Sequence, residues 1–100
     1  MDLFIASNRQ LPIRYYVNEA IWIRRGCCYL PQLTLPFFVE VEVKNTLNLQ
    51  IITEYVLELQ KQYKHTEIQI LIRDATMLVE LLENLPISIS SNHLLKIEKL

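Results

Sequence analysis

The stretch FFVEVEVKNTLNLQIITEYVLELQKQY, from Phe37 to Tyr63, changes its hydrophobic period once and without interruption. Phe37, Val39, Val41 and Val43 alternate with Phe38, Glu40, Glu42 and Lys44, the two-residue repeat of a strand with one apolar face. Ile52, Tyr55, Val56, Leu59 and Tyr63 then fall at i, i+3, i+4, i+7 and i+11, one stripe of a 3.6-residue helix. A strand that runs straight into an amphipathic helix buries both apolar faces only if the helix folds back onto a sheet. The helix is expected from about Leu47 to Lys64, capped by Asn45 or Thr46, with Lys61, Lys64 and His65 at its negative end.

Downstream the same logic repeats. Ile68, Ile70 and Ile72 alternate with Glu67, Gln69 and Arg73 around an apolar Leu71, a strand buried more fully than the first. Asp74 caps a second helix with a stripe at Leu78, Leu81, Leu82 and Leu85, which Pro86 stops. Ile87 and Ile89 read as a brief strand, Ser90 to Asn92 as a turn, and Leu95 and Ile97 as a last strand or short helix. The expectation is an α/β or α+β fold, one small domain over residues 1–100. Its strand-helix-strand-helix-strand core spans about residues 37–98, on a sheet at least partly parallel.

Upstream the pattern is shorter. Leu3 to Ala6 is an apolar run closed by Ser7, Asn8, Arg9 and Pro12, read as a short edge strand or an arm within residues 1–12. In that reading Leu3, Phe4 and Ile5 offer apolar surface to a partner. Residues 13–25 admit two readings. Ile13, Tyr15 and Val17 alternate as in a strand pair turning at Asn18-Glu19; alternatively Asn18 caps a short helix ended by Arg24, Arg25 and a C′ Gly26. Pro31 and Pro36 keep Gln32 to Leu35 out of any central strand.

One hundred residues at 51% apolar, with one glycine and 21% charged, describe a folded single domain and not a disordered chain. The net charge of −1 supplies no field that would draw the whole chain to nucleic acid or an anionic membrane. Arg24 and Arg25 are a local basic island, in a stretch without acids from Ala20 to Val39. Cys27 and Cys28 are adjacent and cannot readily bridge, which points to two buried apolar side chains in a reducing, cytoplasmic setting. His65 and His93 lack zinc spacing, and MDLFIASNRQLP is neither a signal sequence nor a span. Tyr15, Tyr16, Trp22 and Tyr29 among Arg14, Arg24 and Arg25 suit a protein interface, where Trp, Tyr and Arg are enriched, or stacking on single-stranded nucleic acid. The near-neutral charge favours the interface, with Tyr15 and Trp22 in it.

Glu42-Val43-Lys44, on a strand that opens into a helix, resembles the E-x-K half of the restriction-endonuclease-like, or PD-(D/E)XK, nucleases. The order of VEVKNTLNLQIITEYVLELQ, TEIQILIRD and ATMLVELLENL extends the resemblance to roughly residues 37–98. The resemblance implies Glu42 as a Mg²⁺ ligand, Lys44 as the cation that steadies the attacking water, and Gln50 as a helix contact. The family's upstream acid has no counterpart in GCCYLPQLTLPFF; the nearest upstream is Glu19, apart from Glu40 in the same strand. Without it, Glu40, Glu42 and Lys44 read as a solvated strand face that discourages edge pairing. The expected function is therefore an intracellular, non-catalytic interaction protein, a homo-oligomer or a subunit of a larger complex, needing no cofactor. The alternative is a nuclease-like or nucleic-acid-binding protein using Mg²⁺ at Glu42.

Overall fold

The computed structural model describes residues 3–26, 30–44, 48–63, 65–84 and 94–100. The strands are β1 (Leu3–Ser7), β2 (Arg14–Tyr16), β3 (Ile21–Arg25), β4 (Phe37–Val43), β5 (Ile68–Ile72) and β6 (Leu95–Lys99); helix α1 (Leu49–Gln62) follows β4 and α2 (Ala75–Asn84) follows β5. They form a small α+β domain on one six-stranded sheet of order β2-β3-β4-β1-β5-β6. Among the described residues β5 and β6 pair in parallel and the other four pairings are antiparallel. Because β1 runs antiparallel to both β4 and β5, those two share a direction with β1 between them.

That insertion corrects the reading of Leu3 to Ala6 as an edge strand or arm. Leu3, Phe4, Ile5, Ala6 and Ser7 are all buried at the centre of the sheet, so Leu3, Phe4 and Ile5 offer no surface to a partner. The physical reason is that LFIA has no polar residue to turn toward water, and a strand apolar on both faces lies between neighbours. Asn8 then fixes the exit: its Oδ1 accepts from Glu67 N at 3.0 Å, and its Nδ2 donates to the His65 carbonyl at 3.4 Å.

Residues 13–25 form the strand pair and not the helix. Arg14, Tyr15 and Tyr16 face Ile23, Trp22 and Ile21 across a turn over residues 17–20, closed by Ala20 N donating to the Val17 carbonyl at 3.3 Å. Alternating burial along Ile21–Arg25 wins over the Asn18 cap because Ile21 and Ile23 reach the core only from a strand. Gly26 is accordingly no helix C′ residue and has no positive φ. What requires glycine there is Phe38, whose ring occupies the space a Cβ would take.

Helix α1 begins at Asn48, whose Oδ1 accepts from Gln50 N at 3.0 Å, so the cap is Asn48 and not Asn45 or Thr46, which lie outside the described residues. Its buried stripe is Ile51, Ile52, Tyr55, Val56 and Leu59. Asp74 caps α2 as expected, accepting from Thr76 N at 2.8 Å and Met77 N at 3.1 Å. Leu81 is buried while Leu82 is exposed, so the stripe is narrower than the sequence suggests. After α2 the chain returns as β6 alongside β5; the strand at Ile87 and Ile89 and the turn at Ser90 to Asn92 lie outside the described residues.

Both helices lie on one face. Leu3, Ile5, Ile21, Ile23, Val39, Val41, Ile68, Ile70 and Ile72 form a single core with the α1 stripe and Leu81. Among the described residues no helix covers the opposite face, and no helix is long and apolar enough to cross a membrane.

Candidate interaction surface

Alternation in β2, β3 and β4 divides the aromatic-basic segment between the two faces of the sheet. Tyr16, Arg14 and Arg25 turn toward α1, whereas Tyr15, Trp22 and Arg24 turn to the helix-free face. Tyr29 and the two cysteines lie outside the described residues. On the helix-free face Tyr15 and Trp22 are directly opposite, their rings edge to face at 5.6 Å and 76°. They remain 50% and 46% exposed, with Ile13 and Val17 exposed next to them in the chain.

Beside this pair lies a charged row. Arg24 Nη2 is 3.3 Å from Glu40 Oε2, and Arg24 Nε is 3.4 Å from Glu42 Oε2, the latter an ion pair without hydrogen-bond alignment. The register produces this: Arg24 is opposite Glu40, and Trp22 opposite Glu42. Glu40 is nearly buried, its side chain 8% exposed, while Glu42 is half open. One guanidinium thus serves two carboxylates, leaving the trio with a net charge of −1, and its pairing with Glu40 is what lets that side chain sit in the middle of a sheet. The expectation that these acids guard an edge is corrected: β4 is an interior strand, paired on both sides.

The far side of the same face is closed by the segment after Leu30. Gln69 Oε1 accepts from Thr34 N at 3.2 Å, Gln69 Nε2 donates to the Gln32 carbonyl at 2.8 Å, and Gln32 Nε2 donates to the Lys99 carbonyl at 3.3 Å. Gln69, polar in a central strand, is therefore buried with its amide satisfied. The part over β2, β3 and β4 stays open around Tyr15 and Trp22.

Glu42 and Lys44 occupy the positions where the nuclease resemblance places a metal ligand and its partner. Glu42 is engaged by Arg24, and Lys44 follows the strand as an exposed residue whose N–H donates to the Ala20 carbonyl at 3.3 Å. That bond puts the hairpin turn holding Glu19 at the same end of β4. Among the described residues no group of three or more His, Cys, Asp or Glu side chains is placed to hold a metal ion. Gln50, in the first turn of α1, donates to Glu54 at 3.2 Å on an exposed face.

What sequence reasoning missed is the burial of Glu40 and the joint role of Arg24. A two-residue repeat shows which side chains share a face but not which strand lies alongside, and the Arg24 partner came from the register of β3 on β4. No protein-family model, curated protein or solved structure matches the chain.

Proposed function

We propose that the protein acts by association and not by catalysis, as a homo-oligomer or a subunit of a larger assembly, through the open part of the helix-free sheet face. The observation that carries this is the edge-to-face Tyr15–Trp22 pair, half exposed on a rigid sheet and flanked by exposed Ile13 and Val17. Large aromatic side chains with two rotatable bonds make strong interface anchors because little entropy is lost when they are covered. Arg24, Glu40 and Glu42 put both signs of charge next to the anchors. A two-fold partner would meet an opposite charge wherever Arg24 of one copy nears Glu42 of the other, so a second copy is the first occupant to test. A cytoplasmic setting and independence from any cofactor belong to the same reading.

Sedimentation velocity at micromolar concentration tests it. Wild type is expected to sediment above the 11.9 kDa of one chain, and Trp22→Ala to move toward that mass with its circular dichroism unchanged. A wild-type mass of one chain at every concentration overturns self-association. The competing reading is tested by incubating the protein with single-stranded, branched and duplex DNA in Mg²⁺ or Mn²⁺ beside Glu42→Ala. Cleavage by wild type alone would replace association with metal-dependent nuclease chemistry at Glu42 and Lys44.

A further inference from the structure

On the other face, where the sheet meets the end of α1, a cleft of about 320 Å³ opens between Gln10–Arg14, the last residue of β3 and the last turn of the helix. Arg14 and Arg25 both line it. Arg25 Nη1 donates to the Leu11 carbonyl at 2.8 Å, and among the described residues its remaining N–H groups meet no other acceptor. Arg14 Nη2 meets Glu58 at 2.9 Å, while its buried Nε finds no acceptor among the described residues. Arg9 stacks 4.7 Å from the ring centroid of Tyr63, another wall of the cleft.

Among the described residues the lining contains no acid. Glu58, outside it, offsets Arg14, and the C-terminal end of α1 contributes only about half a negative charge. The balance in and around the cleft is therefore positive. Gln10 and Gln62 add neutral amide donors, and Leu11 and Leu59 make a buried apolar floor that limits competition from water.

We propose that this cleft binds the phosphate group of a small molecule, gripped by Arg14 and Arg25, with Gln10 and Gln62 donating to its remaining oxygens. Phosphate suits it better than a carboxylate because donors approach from two strands, a loop and a helix, and only a tetrahedral group presents oxygens in all those directions. The site lies across the sheet from the association surface and does not rest on that reading.

The test is a titration of ¹⁵N-labelled protein at constant ionic strength with inorganic phosphate, with glycerol phosphate and with acetate, following backbone and arginine Nε–H signals. Saturable shifts confined to the cleft are expected with one or both phosphates and not with acetate. Saturation by the ester assigns the site to a phosphorylated metabolite, and saturation by the free ion alone to inorganic phosphate. Arg25→Gln should weaken the response by about tenfold or more. Gln62→Glu places an acid in the cleft at an exposed helix position and should abolish the response while the domain stays folded, with the small loss of melting temperature that an acid at a helix C-terminus brings. Non-saturating shifts, an equal response to acetate, or an unchanged response in Gln62→Glu overturn the proposal.

Discussion

Arg24 holds the polar part of the helix-free face together, because Glu40 is nearly buried and has this guanidinium as its partner in the register. Removing it leaves a carboxylate in the sheet without compensation, whereas removing Glu42 takes away a half-exposed partner. Arg24→Ala should therefore destabilise by about 2–4 kcal/mol, below or at the low end of the range for a fully buried pair because Arg24 is itself partly exposed. Glu42→Gln should cost about 0–1 kcal/mol, the range of a surface pair. Urea unfolding of the two variants checks the order. Tyr55 makes a second prediction at this scale. Its hydroxyl donates to the Pro12 carbonyl at 2.7 Å, and burial raises its pKa well above the ordinary 10.0, with Arg14 opposing. Tyr16 is raised as well, again by burial first. A phenol whose folded-state pKa is raised contributes its full stability below pH 10 and loses it as the pH climbs from there toward the folded value. Stability should fall above pH 10, and less steeply in Tyr55→Phe, which at neutral pH loses about 1 kcal/mol with the hydrogen bond.

Among the elements, the β2–β3 hairpin carries a local strain that its sequence did not avoid. Ala20 closes the turn at φ 53°, a left-handed conformation that suits glycine better than a residue with a Cβ. Ala20→Gly should raise the melting temperature, worth up to about 1 kcal/mol after the extra unfolded-state entropy of glycine is subtracted. Gly26→Ala, at the other end of β3, should do the reverse by displacing the Phe38 ring. Helix α1 is the element on which the core depends most. Its stripe contributes Ile51, Ile52, Tyr55, Val56 and Leu59 to the same cluster as the central strands. Leu59→Asp or Val56→Asp should unfold the domain, since an unpaired buried carboxylate costs several kcal/mol against a total of roughly 5–15. A melt within a degree or two of wild type would contradict the placement of that stripe.

At the scale of the whole molecule, two helices on one face of six strands leave the other face to be covered by chain. The segment after Leu30 covers β5 through Gln69, and the β2-β3-β4 side keeps its aromatic pair in solvent. Any assembly through that side should therefore depend on Trp22 and Tyr15 and be indifferent to Leu3, Phe4 and Ile5 as contacts. Tyr15→Ala together with Trp22→Ala should abolish concentration-dependent sedimentation while leaving the domain folded, at a cost of about 1–3 kcal/mol in urea stability from the lost edge-to-face contact and the half-buried ring area. Loss of folding in that double variant would instead make the pair part of the hairpin's own support.

The periods in the chain were enough for β4, α1, β5 and α2, because each turns one apolar face to the helix-sheet core and so writes it into every second or every third and fourth residue, even in β5, where the other face is buried too. Asp74 was readable as a cap for the same reason, its side chain acting on backbone two and three residues away. Strand order was not readable. Leu3–Ser7 looks like an edge by its position in the chain and lies in the middle of the sheet because β4 and β5, joined by a helix, leave a gap that only an apolar strand fills. The hairpin was one of two local readings, and burial of Ile21 and Ile23 decided between them. The candidate sites follow from those long-range choices. Tyr15 and Trp22 were visible as an aromatic pair, but their mutual contact, the Arg24 ion pairs and the convergence of Arg14 and Arg25 need residues far apart in the chain. Local preference ends within a few residues, whereas charge pairing and cleft shape are set by which strands lie side by side, a choice made by the core as a whole.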